Sequence, residues 1–197
     1  EVYETLTDGD TAYKLSGERV LACRYQLALQ AEADGSYKEA EAMFFALGKY
    51  EDSATHALFC QYKQALALED AAEYDKAAEL YLELGSYSDS SERLNSCRLK
   101  QAAALMEDGS YDAALLLLED MAESDERDLA IKASKYGKAK ALMEAKEYEA
   151  ARTLFGELDD YKDCQKLARS CGYLLGDQLI DAGEFAQAQN VFSELGD

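Results

Sequence analysis

The sequence predicts an all-α chain, a solenoid of about five stacked pairs of antiparallel helices with residues 1–197 forming a single array. Three observations predict it. A pattern returns every 37 residues, so that Cys60 meets Cys97, Tyr74 meets Tyr111 and Ala77 meets Ala114. Proline is absent from all 197 residues, which suits long unbroken helices, because a proline inside a helix removes a hydrogen bond and clashes with the preceding turn. Within each period the small and apolar residues fall at helical spacing.

The units run approximately over residues 16–52, 53–89, 90–126, 127–163 and 164–197, with 1–15 as the remnant of a preceding repeat. In that remnant Tyr3, Leu6 and Gly9 loosely echo Phe44, Leu47 and Gly48. The register then locks, with Tyr13, Ser16, Val20 and Cys23 standing 37 residues before Tyr50, Ser53, Ala57 and Cys60. The first helix of the second unit is expected over about Ala54–Ala71, with Asp52 and Ser53 offering side-chain oxygens to the free amides of its first turn. Its positions Ala57, Leu58, Ala65, Leu68 and Ala72 share one arc. The second helix is expected over about Asp75–Leu84, where Ala77, Leu80, Tyr81 and Leu84 repeat at i, i+3, i+4, i+7. Gly85 stops it, since glycine accepts the left-handed conformation of a helix end. The alanine columns Ala28/Ala65/Ala102/Ala139 and Ala40/Ala77/Ala114/Ala151/Ala188 let the helices approach closely where they cross.

Two places depart from this regularity. Arg24, Gln61, Arg98, Lys135 and Gly172 project into the apolar arc, so either their long side chains extend outward over aliphatic stems or the helix is not ideal there. At the third boundary the Leu-Gly-x-Tyr-x-Asp-Ser connector becomes Met121-Ala122-Glu123-Ser124-Asp125-Glu126-Arg127. There the next helix is expected to start on a Ser124/Asp125 cap and the stack to continue.

The charge narrows the partners. Twenty Lys and Arg against forty Asp and Glu give a net charge of −20, a surface that repels nucleic-acid phosphates and anionic membranes. No run of apolar residues is long enough to span a bilayer, so direct membrane insertion is not expected of this stretch. The first residue is Glu1 rather than Met, and the chain reads as a fragment cut from a longer protein at both ends.

The half-unit Gly35-x-Tyr37-x-x-Ala40-x-x-x-Phe44-x-x-Leu47 resembles the tetratricopeptide repeat, and the resemblance covers roughly residues 16–197. Ala28 stands where that family has its first-helix glycine, and Tyr25 fits a common tyrosine. The unit departs from the family by three extra residues, no tryptophan and no terminal proline, and resembles a divergent bacterial-type subtype with 37-residue units. The resemblance implies a right-handed superhelix whose first helices line a concave, partner-binding face. It also implies a non-catalytic scaffold.

Catalytic and metal chemistry find no foothold. Cys23, Cys60, Cys97 and Cys171 share one column, and equivalent residues in stacked units lie about 10 Å apart, too far for a disulfide. Cys164 and Cys171 are similarly separated along one helix. The five thiols are therefore expected to be free, which points to a reducing, cytoplasmic compartment. His56 shares its column with Arg19, Arg93, Ala130 and Leu167, a mixture that does not suggest catalysis. No phosphate-binding glycine loop, His-Glu-x-x-His motif or nucleophile elbow is present, and no cofactor is expected.

The face of the first helices opposite their packing arc carries the candidate binding residues. They are Phe59, Tyr62, Leu66 and Asp70 in the second unit, and Tyr25 and Leu29 in the first. Glu107, Tyr136, Glu144, Tyr173 and Asp181 follow in later units. The tyrosines either anchor a peptide or pack between units; both readings fit the spacing. Some tetratricopeptide proteins grip a partner's C-terminal carboxylate with basic groove residues. Here Lys63, Lys100 and Lys140 have the acids Asp70, Glu107, Glu144 and Asp181 beside them, so a peptide with apolar anchors and basic flanks fits better. The sequence thus predicts a non-enzymatic protein- or peptide-binding scaffold for an apolar and basic partner. The alternative is a structural spacer, or a module that self-associates through open repeat ends, within a longer membrane-tethered protein.

Overall fold

The computed structural model describes residues 9–196, with side chains from Ser16 onward. The expectations placed on Tyr3, Leu6 and the side chain of Tyr13 lie outside the described residues. Ten α-helices and no strands make up the described residues. They are α1 Gly9–Ala33, α2 Tyr37–Leu47, α3 Ser53–Asp70, α4 Tyr74–Leu84, α5 Ser90–Glu107, α6 Tyr111–Glu119, α7 Asp125–Glu144, α8 Tyr148–Leu158, α9 Cys164–Asp181 and α10 Phe185–Leu195. Short connections make sequence neighbours antiparallel.

The chain divides into two compact units, Glu1–Cys97 and Arg98–Asp197. In the first, α1 packs on α2, α2 on α3 and α3 on α4. In the second, α6 packs on α7, α7 on α8, α8 on α9 and α9 on α10. Helices end where the backbone enters the left-handed region. Gly35, Gly109 and Gly183 do so without steric cost between the helices of a pair, whereas Ala72 (φ 58°) and Lys146 (φ 64°) take the same conformation with a Cβ attached.

The interior follows the columns. Ala28, Ala40, Ala65 and Ala77 are fully buried in the first unit, and Ala102, Ala114, Ala139 and Ala151 in the second. With no side chain beyond Cβ, they allow the close crossings that bury Phe44, Tyr81, Leu118 and Phe155 completely. Cys60, Cys97 and Cys171 are buried because each packs against the preceding second helix. Cys23, on α1, is exposed, unlike its column-mates.

Candidate functional site

Three of the eleven sequence-predicted site residues, Tyr25, Tyr62 and Tyr136, are held by contacts within the chain. The hydroxyl of Tyr25 donates to the Asp52 carboxylate, that of Tyr62 to Asp89, and that of Tyr136 to Asp163 at 2.8 Å. Each tyrosine ring also meets two others edge-on. Tyr25 sits against Phe44 and Tyr50, Tyr62 against Tyr81 and Tyr87, and Tyr136 against Phe155 and Tyr161, with centroids 5.8–6.2 Å apart. These three tyrosines lie between repeats, where they tie the first helix of one repeat to the connector leading into the next.

The same contacts correct the expected role of the connector aspartates. Neither Asp52 nor Asp163 makes a side-chain bond to its own helix's first-turn amides; each carboxylate accepts a tyrosine hydroxyl from 27 residues upstream instead. Ser53 is buried and donates to the Tyr50 carbonyl at 2.6 Å, closing the connector turn. In the Tyr25–Asp52 bond both partners are shifted. The Asp52 carboxylate beside it, together with partial burial, pushes the Tyr25 hydroxyl up to about 12, and Asp163 does the same to Tyr136. The tyrosine hydroxyls in turn hold Asp52 and Asp89 below the usual carboxylate range.

At the third boundary Leu99, Ser124 and Glu126 replace the tyrosine, tyrosine and aspartate. Ser124 accepts the Arg127 amide at 3.1 Å and caps α7, as the sequence predicts. The Arg127 guanidinium reaches back to the Leu118 carbonyl, with Nε at 2.8 Å, so a cation sits at the C-terminal end of α6, where the helix dipole favours it.

Three members of the column that projects into the apolar arc reach an acid 22 residues further on. Gln61 donates to Glu83 at 2.6 Å, Lys135 pairs with Glu157 at 2.9 Å, and Arg98 lies 3.8 Å from Asp120. Gly172 has no such side chain; a Cβ there would meet the Leu195 side chain at 2.7 Å.

His56 belongs to a junction. Its Nδ1 lies 2.7 Å from Glu32 Oε2, its Nε2 lies 3.5 Å from Asp52, and its ring stacks on Phe44 with centroids 4.9 Å apart. One repeat later the same position holds Arg93, which bonds Glu69 and Asp89 at 2.9 Å each, while Tyr81 donates to Glu69 at 3.0 Å. Burial, reinforced by Glu32, pushes the Cys60 thiol up to about 12 and so keeps it protonated.

The remaining candidates are accessible to different degrees. Phe59 is half-buried, edge-on to Tyr37 with Lys63 over its face, and Leu66 is half-buried on the same side of α3. Leu29 is half-buried against the core around Phe44. Asp70, Glu107, Glu144, Tyr173 and Asp181 are exposed. Each of these acids stands in the last turn of a first helix, and among the described residues none makes an ion pair or a side-chain hydrogen bond.

Sequence reasoning missed a second surface. Phe45 is 83% exposed on α2, beside the partly exposed Leu58 of α3. With Ala54, Gly48 and the acids Glu41 and Glu83 they line an open cleft among α2, α3 and α4, on the far side of α3 from Phe59.

Among the described residues no helix is long and apolar enough to cross a membrane. No protein-family model matches the chain, and no curated protein matches it. Two crystal structures described as Podosopora anserina "putative kinesin light chain nearly identical TPR-like repeats", one of them a single-substitution variant, are similar to it at 17% identity. Each match covers 89% of this chain and 92% of the other, with a TM-score of 0.24. The pairing of helices follows the 37-residue register and the contacts between successive helices.

Proposed function

We propose that this chain is a non-catalytic scaffold that binds a protein or peptide carrying apolar anchors and basic flanks, through the outward face of its first helices. The observation that carries the reading is the set of exposed last-turn acids: Asp70 in the first unit, and Glu107, Glu144 and Asp181 in the second. A carboxylate at a helix C-terminus opposes the helix dipole, at a cost of about 0.3–1 kcal/mol. None of these gains an internal partner in return. Such acids remain available to a cation from outside, and in the first unit Phe59 and Leu66 lie on the same side of α3 as Asp70. The five free thiols favour a reducing compartment.

A peptide panel varied in charge and apolar content tests this. Basic-apolar peptides should bind, and their affinity should fall about tenfold in Phe59→Ala/Leu66→Ala. Equal affinity in that variant would remove the first-helix face from the account. A second reading, self-association, is favoured by the exposed stripe of Val20, Cys23 and Leu27 on α1. Light scattering that showed mass rising with concentration would support it.

A further inference from the structure

We infer that the Phe45 cleft of the first unit is a second docking site, independent of the first-helix face, and that it receives an amphipathic helix with an apolar ridge flanked by Lys or Arg. The chain supplies its own control, because the same place recurs in each repeat. Ala54, Leu58 and Phe45 correspond to Ser91, Asn95 and Leu82, then to Asp128, Lys132 and Glu119, then to Gln165, Arg169 and Gly156. Apart from Leu82 and Gly156 these positions carry polar or charged residues, so the fold does not require an apolar surface here. Yet Phe45 is 83% exposed and Leu58 40% exposed, the kind of uncovered apolar surface that marks an interface.

The rim supplies the charge. Glu83 accepts from Gln61 at 2.6 Å and Glu41 from Gln64 at 2.5 Å. These neutral donors fix the carboxylates without compensating their charge. In the second unit the counterparts of the Gln61–Glu83 contact are ionic, Arg98 with Asp120 and Lys135 with Glu157. The cleft therefore presents an apolar floor between two oriented negative charges, complementary to an apolar ridge with cationic flanks. A second copy of this chain is a poor occupant, since both carry a net charge of −20. An extended strand finds no sheet edge to pair with among the described residues, whereas a helix brings its own satisfied backbone into a valley between helices.

The test uses the full chain and a spin-labelled helical peptide with Leu at i, i+3, i+4 and i+7 and Lys elsewhere. The controls are a Ser-for-Leu peptide of equal charge and a Glu-for-Lys peptide of opposite charge. The expected result is broadening of the amides of residues 41–48 and 54–61 by the Leu/Lys peptide, with affinity falling at least about tenfold in Phe45→Ser/Leu58→Asn. Those replacements are the residues the chain itself carries at Ser193 and Asn95, so the variant keeps its helices. Glu41→Gln/Glu83→Gln should weaken binding and reduce its salt dependence. Undiminished affinity in Phe45→Ser/Leu58→Asn, equal binding of the Ser/Lys control, no broadening of those amides, or no binding at all would each overturn the inference. Phe59→Ala/Leu66→Ala reports separately on the first-helix face, because it leaves the amide response around Phe45 intact.

Discussion

The junctions of the first unit are built around charge and those of the second around apolar contact, at the same repeat positions. Glu32 faces His56 and Glu69 faces Arg93 in the first unit. Met106 and Ala130, then Met143 and Leu167, take those places in the second, where they pack against the cores around Leu118 and Phe155. The difference teaches that stacking itself depends on the alanines and on the buried residue of the second helix, which both units share. The polar group is an interchangeable filling. A mostly buried ion pair gains little over well-packed apolar residues, because desolvation offsets its attraction, but a lone buried charge is costly.

The largest effect should come from breaking that balance in the first unit. Arg93→Leu removes the guanidinium that bonds Glu69, whose side chain is 13% exposed, and should lower stability by about 3 kcal/mol in urea unfolding. Transplanting the junction of Met143, Phe155 and Leu167 whole, as Glu69→Met/Tyr81→Phe/Arg93→Leu, should return stability to within about 1 kcal/mol of the parent. A triple variant as unstable as the single one would mean that the two kinds of junction are not interchangeable.

A smaller effect tests what the units have in common. Tyr136→Phe removes the 2.8 Å bond to Asp163 and should cost about 1 kcal/mol. The pH dependence has a defined sign. Tyr25 and Tyr136 ionise near 12 in the folded chain, above the ordinary tyrosine value of about 10. Their contribution is therefore full below about pH 10 and is lost as pH rises through about 12. Asp52 and Asp89 are shifted the other way, so their contribution is present above the ordinary carboxylate range and is lost as pH falls through their depressed folded-state values. Urea titrations between pH 9 and 12 should show a shallower alkaline loss in Tyr136→Phe than in the parent.

The smallest effect concerns the turns. Lys146 and Ala72 hold left-handed conformations where Gly35, Gly109 and Gly183 stand in other repeats. Lys146→Gly removes the Cβ clash, worth about 1–2 kcal/mol, but adds the entropy cost of glycine, so a net gain below about 1 kcal/mol is expected in thermal melts.

What the sequence revealed divides by the distance over which each interaction acts. The helices were legible because spacing within one helix sets which residues share a face: α3 and α4 lie within a residue of the expected bounds. The role of Asp52 was not, because capping rules are local and its partner, Tyr25, stands 27 residues away. For the same reason the projecting column was open to two readings until Gln61, Arg98 and Lys135 were seen to reach acids 22 residues on. Phe45 escaped notice because reading down columns rewards what recurs, and its column runs Phe, Leu, Glu, Gly, Ser. The available signal was the opposite one: an aromatic residue in a column that keeps no residue type.

Buried residues that recur from repeat to repeat build the array, and on the proposed reading exposed ones bind. Paired measurement of affinity and stability on one set of variants of this chain tests this claim most directly. Tyr62→Phe should lower urea stability and leave affinity for the Leu/Lys peptide unchanged. Phe45→Ser/Leu58→Asn should lower affinity at least about tenfold and leave stability within about 0.5 kcal/mol. A junction variant that weakens the peptide complex as much as the surface variant does, or a surface variant that binds like the parent, would contradict the account.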